Sequence, residues 1–165
     1  MWYNRTILEQ ILKTTKNYSV TLVTGARHVG KTELVKTIEK ERGYNYITLF
    51  NEDLLKESIE SPKKFLEKYK PPVIIYEFQR NQKLFNEIQY IVEKVKLEKG
   101  SQAAKGLYIL TGSQKYKLMK NITQSLAGRV GIIEMPPLSQ SEIQFWSTKP
   151  FTINNELLFE KSDHR

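Results

Sequence analysis

The chain reads as an α/β protein of three layers, in which a central, mainly parallel five-stranded sheet is covered by helices on both faces. Three observations lead there. Short apolar runs rich in branched residues alternate with helical patterns along the whole chain, and a parallel sheet with crossover helices requires that alternation. Gly and Pro punctuate the runs, which marks their ends. The first run opens into a glycine-bearing loop and then a helical pattern, a strand–loop–helix unit.

Taken in order, NRTILEQILKTTK (4–16) places Ile7, Leu8, Ile11 and Leu12 on one helical face. YSVTLVTG is expected as the first strand, ending at Gly25. ARHVGKTELVKTIEKERG follows as loop and helix, with Gly43 as the C-cap. YNYITLF is the second strand, and 52–69 make one or two short helices punctuated by Ser61-Pro62. PPVIIYEF is the third strand. An amphipathic helix fits 82–97, with Leu84, Ile88, Ile91 and Val95 on one face. A polar loop leads to the fourth strand, GLYILTGS; a polar, short-helix region covers 114–127; RVGIIEM is the fifth strand. After Pro136-Pro137, LSQSEIQFW suits one short helix. Residues 1–146 are thus expected to form one core, and 147–165 a tail, a linker or the truncated start of a further domain.

With 165 residues and 39% apolar content, one domain with a real core is expected. The absence of cysteine excludes disulfides, thiolate metal sites and Cys nucleophiles. No apolar run has the length of a membrane span, and MWYNRTILEQ lacks the apolar core of a signal peptide. A cytoplasmic protein without a membrane partner is expected, with the sequons at Asn4, Asn17 and Asn121 as chance matches. Lys plus Arg is 26 and Asp plus Glu 18, a net charge of +8. That balance permits a polyanion partner and equally fits a lysine-rich solvated surface. Nucleic acid is a candidate through Lys63, Lys64, Lys68, Lys70 and Lys115, Lys117, Lys120, with Tyr69 and Tyr116 among them for base stacking; the other reading is a solvated helix face.

Gly25-Ala26-Arg27-His28-Val29-Gly30-Lys31-Thr32 fills the pattern G-x-x-x-x-G-K-[ST]. Such a loop wraps a phosphate with inward-facing backbone N–H groups, and glycine permits the curvature. The helix that follows offers its positive N-terminus. Lys31 is expected to reach the terminal phosphates and the Thr32 hydroxyl to ligate magnesium. Arg27, His28 and Val29 occupy positions that work through backbone; the side chains of Arg27 and His28 could touch phosphate or simply be tolerated there. The expected fold is therefore that of the P-loop NTPases.

In phosphate-loop enzymes a later apolar strand carries an aspartate that helps hold magnesium. Where it ends in Asp-Glu, the glutamate can orient the attacking water. VIIYEF is that strand. Glu77 stands in the water-orienting place and Tyr76 in the place of the aspartate. A phenol titrates near pH 10 when free, so it brings no charge at neutral pH. It could hydrogen-bond a metal-bound water, or its ring could obstruct the metal. Thr32 and the nucleotide's phosphates could suffice, since magnesium keeps several waters; Asp53 or Glu52 are candidates to compensate.

TLVTGARHVGKTELVKTI, PPVIIYEFQR, GLYILTGSQKYKLMKNITQSLAGRVGIIEMPPLSQSEI and the opening amphipathic helix together resemble the archaeal and bacterial AAA-type ATPases whose nucleotide domain is followed by a DUF4143 domain. The resemblance covers most of 4–146, and its most specific part is LTGSQ…SLAGR. It implies an ASCE/AAA-type sheet, with an added strand between the phosphate-loop strand and the acidic strand. It implies ATP as the nucleotide. It suggests Ser113, with Gln114, as the polar sensor near the γ-phosphate, and Arg129 as a residue that is structural or contacts phosphate in the same or a neighbouring subunit. From the residues alone, Ser113 and Gln114 are equally turn residues and Arg129 a surface ion-pair partner. The chain departs from the family at Tyr76, at Phe50 in place of an acid, and at Glu33 in place of a second threonine, which puts negative charge near the α-phosphate. The family continues into a long C-terminal domain; this chain ends at Arg165. Three functions stay open: a magnesium-dependent ATPase, a nucleotide-binding or interaction module without turnover, and a nucleic-acid-associated module.

Overall fold

The computed structural model describes residues 6–113 and 128–139. The elements run α1 (Ile7–Asn17), β1 (Val20–Thr24), α2 (Lys31–Arg42), β2 (Asn45–Thr48), α3 (Glu52–Glu60), α4 (Pro62–Lys68), β3 (Val73–Tyr76), α5 (Leu84–Lys99), β4 (Tyr108–Gly112) and β5 (Val130–Glu134). The strands form one sheet in the order β2-β3-β4-β1-β5, and every pairing is parallel. β4 enters between β1 and β3, as the expected added strand does. The three inner strands are buried at every position, the pattern of a sheet covered on both faces.

Period-two alternation divides the core. Val20, Leu22, Val73, Ile75, Tyr108 and Leu110 face one cluster, completed by Phe65 and Leu66 of α4 and by Leu84, Phe85, Ile88 and Val92 of α5. Val23, Ile74, Tyr76, Ile109 and Ile133 face the other, completed by Ile7 and Ile11 of α1 and by Leu34, Val35 and Ile38 of α2. That parity decides where residue 76 goes. Two residues on from Ile74, it must project toward α2, the helix that follows the glycine-bearing loop.

Local signals mostly act where they stand. Gly43 caps α2 at φ 69°, a conformation glycine adopts without strain. Ser61-Pro62 separates α3 from α4, with Pro62 in the first turn, where no N–H is needed. A Cβ on Gly131 would overlap Thr14 Cγ2 and come within 2.8 Å of Tyr18 Cδ2, so α1 lies against β5 through a glycine. Three expectations shift. The second strand ends at Thr48, two residues short of Phe50. The α5 stripe buries Phe85 and Val92 along with Leu84 and Ile88, while Val95 is only half-buried. The third strand stops at Tyr76, two residues earlier than expected, because Glu77 takes a left-handed backbone conformation. A 3-10 turn, Phe78–Arg80, follows.

The expected helical region 114–127 and the tail 147–165 lie outside the described residues, as does all but the start of the expected helix at 138–146. Among the described residues, no helix is long and apolar enough to cross a membrane.

Candidate functional site

The parallel sheet gathers its carboxyl ends at one edge. Thr24 lies beside Gly112 on one side and Glu134 on the other, and Thr48 lies beside Tyr76. Gly25, Glu77 and Ser113 leave their strands at this edge, where ligands of open α/β sheets bind.

The loop is built on two tight points. Gly25 has φ 154°, and a Cβ there would sit 2.6 Å from the Met135 carbonyl oxygen. Met135 donates its N–H to the Thr24 carbonyl at 2.7 Å, so the continuation of β5 fixes the start of the loop. His28 and Gly30 are both left-handed, at φ 66° and 92°. They turn the chain back on itself and start α2 at Lys31. Between them Val29 is buried in the core and anchors the loop from beneath. Arg27 and His28 are exposed, as is Glu33 in the first turn of α2, where an acid complements the helix dipole. Lys31 is only 4% exposed. Its ammonium donates to the carbonyls of Gly25 at 2.8 Å and Ala26 at 2.5 Å. Burial pulls its pKa below the ordinary lysine value, and the Glu77 carboxylate partly opposes that shift.

On one flank, the hydroxyls of Thr32 and Tyr76 share a hydrogen bond of 2.6 Å. The Tyr76 ring lies 6.2 Å from Tyr46 and 6.0 Å from Phe50. The Arg80 guanidinium stands 5.8 Å over Phe50 and donates to the Leu49 carbonyl and to Glu52, both at 2.7 Å. Glu52 is thereby engaged in an ion pair with Arg80. Among the described residues no cluster of His, Asp or Glu could hold a metal unaided. Of the groups on this flank, the Thr32 hydroxyl could serve a cation that takes most of its ligands from phosphate and water.

On the other flank, Glu77 is buried and left-handed at φ 59°. Its N–H donates to the Thr111 hydroxyl at 3.3 Å. The 3-10 turn, anchored by Phe78 packed edge-on against Phe85, folds Gln79 back toward it. The Gln79 amide nitrogen donates to the Glu77 carboxylate and reaches the Ser113 hydroxyl at 3.3 Å. Gln79 thus joins Glu77 and Ser113, and its one signal in the sequence is a spacing of two from Glu77.

Gln114 lies outside the described residues. Arg129 is not brought to the loop. Val130 pairs with Val20, which places Arg129 at the opposite end of a five-residue strand, roughly 16 Å from the loop at about 3.3 Å per residue. There it pairs with Glu93 of α5. Within this chain Arg129 thus takes the structural, ion-pair alternative, joining sheet to helix. Of the basic clusters, Lys68 binds Glu57 at 2.9 Å and lies over Tyr69, whose ring packs against Phe65 at 4.9 Å. Lys115, Tyr116, Lys117 and Lys120 lie outside the described residues.

A family model described as an AAA domain matches residues 17–144. Among solved structures, the Walker-type ATPase PABY2304 of Pyrococcus abyssi superposes with a TM-score of 0.58 at 20% identity. The superposition covers 86% of this chain and 55% of that one, so the chain spans about half of that structure's length. At that identity the likeness is one of fold. No curated protein matches the chain.

Proposed function

We propose a function from one premise: the chain belongs to the AAA domain family, whose model matches residues 17–144. It is an ATP-binding domain, with its nucleotide core in residues 1–146, and it hydrolyses ATP slowly in the presence of magnesium. Backbone N–H groups of Gly25–Thr32 cradle the phosphates, and the Lys31 ammonium leaves two loop carbonyls for phosphate oxygens. Magnesium, when bound, supplies positive charge against the β- and γ-phosphates.

The observation that carries the reading is the Thr32–Tyr76 hydrogen bond standing beside a buried glutamate. Tyr76 can accept the Thr32 proton, which leaves the Thr32 lone pairs free for a cation. A carboxylate would do the same and add a negative charge. The phenol keeps the orientation and forgoes the charge. Glu77 is the base for the attacking water, and Ser113 offers its hydroxyl to the γ-phosphate.

Neutrality at Tyr76 also favours a second reading, a nucleotide-binding module without turnover. Phosphate release by the wild type and by Glu77→Gln separates the two. Slow, magnesium-dependent release that falls by at least about 100-fold in the variant supports hydrolysis. Equal rates in both proteins sink it.

A further inference from the structure

The geometry points to Gln79 as a second residue that positions the attacking water, in partnership with Glu77; this rests on the ATPase reading above. A glutamine amide carries two N–H donors and one carbonyl acceptor. The Glu77 carboxylate can only accept when ionised, so the nitrogen of Gln79 must face it, and the orientation of the amide follows from its neighbour. That nitrogen is fully used, on Glu77 and on Ser113. The carbonyl oxygen is buried and has no partner. Buried acceptors are rarely left unpaired, and those that are call for a functional account.

In the arrangement shown that oxygen is closed to water; a water admitted between the two side chains as Gln79 shifts outward supplies the missing donor. It gives one proton to a Glu77 oxygen and the other to the Gln79 carbonyl, which aims a lone pair outward at the γ-phosphorus. In the reaction, the water oxygen forms a bond to the γ-phosphorus. The bond from phosphorus to the β,γ-bridging oxygen breaks, and ADP leaves with its electron pair. The proton released from the water passes to Glu77. Ser113 links this cradle to its substrate, because the hydroxyl that accepts from Gln79 can donate its own proton to a γ-phosphate oxygen. The left-handed Glu77 and the 3-10 turn after it make the arrangement possible, since they fold residue 79 back onto residue 77.

The test compares wild type, Gln79→Ala and the near-isosteric Gln79→Glu by calorimetry and steady-state kinetics. The ligands are ADP, ATP, and ADP with aluminium fluoride and magnesium, which mimics the transferring phosphoryl group with its in-line water. For Gln79→Ala we expect ADP affinity within about twofold of wild type, kcat lower by about ten- to a hundredfold at unchanged KM, and analogue affinity lower by at least about tenfold. For Gln79→Glu, a second carboxylate beside Glu77 moves the acidic limb of the pH–rate profile upward. A Gln79→Ala protein equal to wild type in kcat and analogue affinity overturns the proposal. So does one that loses ADP and analogue affinity in equal proportion, because the residue is then structural. ADP bound by wild type without turnover or analogue capture overturns it while leaving the phosphate site standing. ADP affinity that Lys31→Ala leaves unchanged overturns the phosphate site itself.

Discussion

The two flanks of the phosphate loop are made by consecutive residues and differ in kind. At Tyr76 the strand presents a neutral, aromatic wall to Thr32, backed by Tyr46 and Phe50. At Glu77 the chain turns left-handed and presents a buried carboxylate tied through Gln79 to Ser113. Strand parity fixes the first, because residue 76 must face α2 whatever it is. The difference teaches that placement and charge are separable. A phenol can hold the Thr32 hydroxyl where a carboxylate would hold it, without the charge. Hydrogen bonds to charged groups contribute about 1.5–3 kcal/mol and neutral ones about 0.5–1.5. The midpoints of those ranges differ by about 1.25 kcal/mol, so a cation held on this flank is expected to bind nearly tenfold more weakly than beside a carboxylate.

The sharpest way to break the comparison is on the water flank. Glu77→Gln should lower turnover by about 1000-fold while ATP affinity stays within about twofold, as read by phosphate release and calorimetry. Next comes Lys31→Ala, which serves both flanks. It removes a buried cation from the phosphates and should weaken ATP binding by about 100-fold. If ATP affinity survives, the loop is not a phosphate site. Tyr76→Phe keeps the ring and deletes the hydroxyl. It should cost about 1 kcal/mol in thermal or denaturant unfolding and lower magnesium-dependent ATP affinity a few-fold, since Thr32 loses its orienting partner. A smaller effect follows from Lys31 burial. Its pKa is lowered from 10.5, so the ammonium discharges earlier than a free lysine as pH rises. ATP affinity should therefore decline in the alkaline range before pH 10.5 is reached, and a calorimetric pH series reads this. Arg129→Ala should do least. Its ion pair is partly solvent-exposed, so stability should fall by about 1 kcal/mol or less, with ATP affinity unchanged.

Much of this was legible in the sequence, for reasons that can be named. The order and type of elements followed from alternation and punctuation, because Gly43 and Ser61-Pro62 act locally. The loop was legible because its glycines and lysine serve backbone geometry directly. The end of β3 was not. Nothing in Glu77-Phe78 announces a left-handed glutamate, which the surrounding turn and the buried Phe78 impose. Gln79 was hidden for the same reason, since its partners exist only once that turn forms. The alternatives for Arg129 stay open in the sequence, because closeness to a family signature says nothing of strand direction; only the register of β5 shows that the residue sits at the far end. In the sequence Lys68 and Tyr69 fit either a basic-aromatic patch or a solvated helix face. The pairing with Glu57, eleven residues away on α3, depends on how two helices meet.

The central claim is that the metal flank keeps its geometry and has lost its charge. Calorimetric titration of ATP with and without magnesium, in wild type and in Tyr76→Asp, tests it most directly. The account predicts that both proteins bind ATP, that magnesium tightens wild-type binding only a few-fold, and that it tightens binding to Tyr76→Asp about tenfold more. Equal magnesium dependence in the two proteins would contradict it, because the missing carboxylate would then have no bearing on the site.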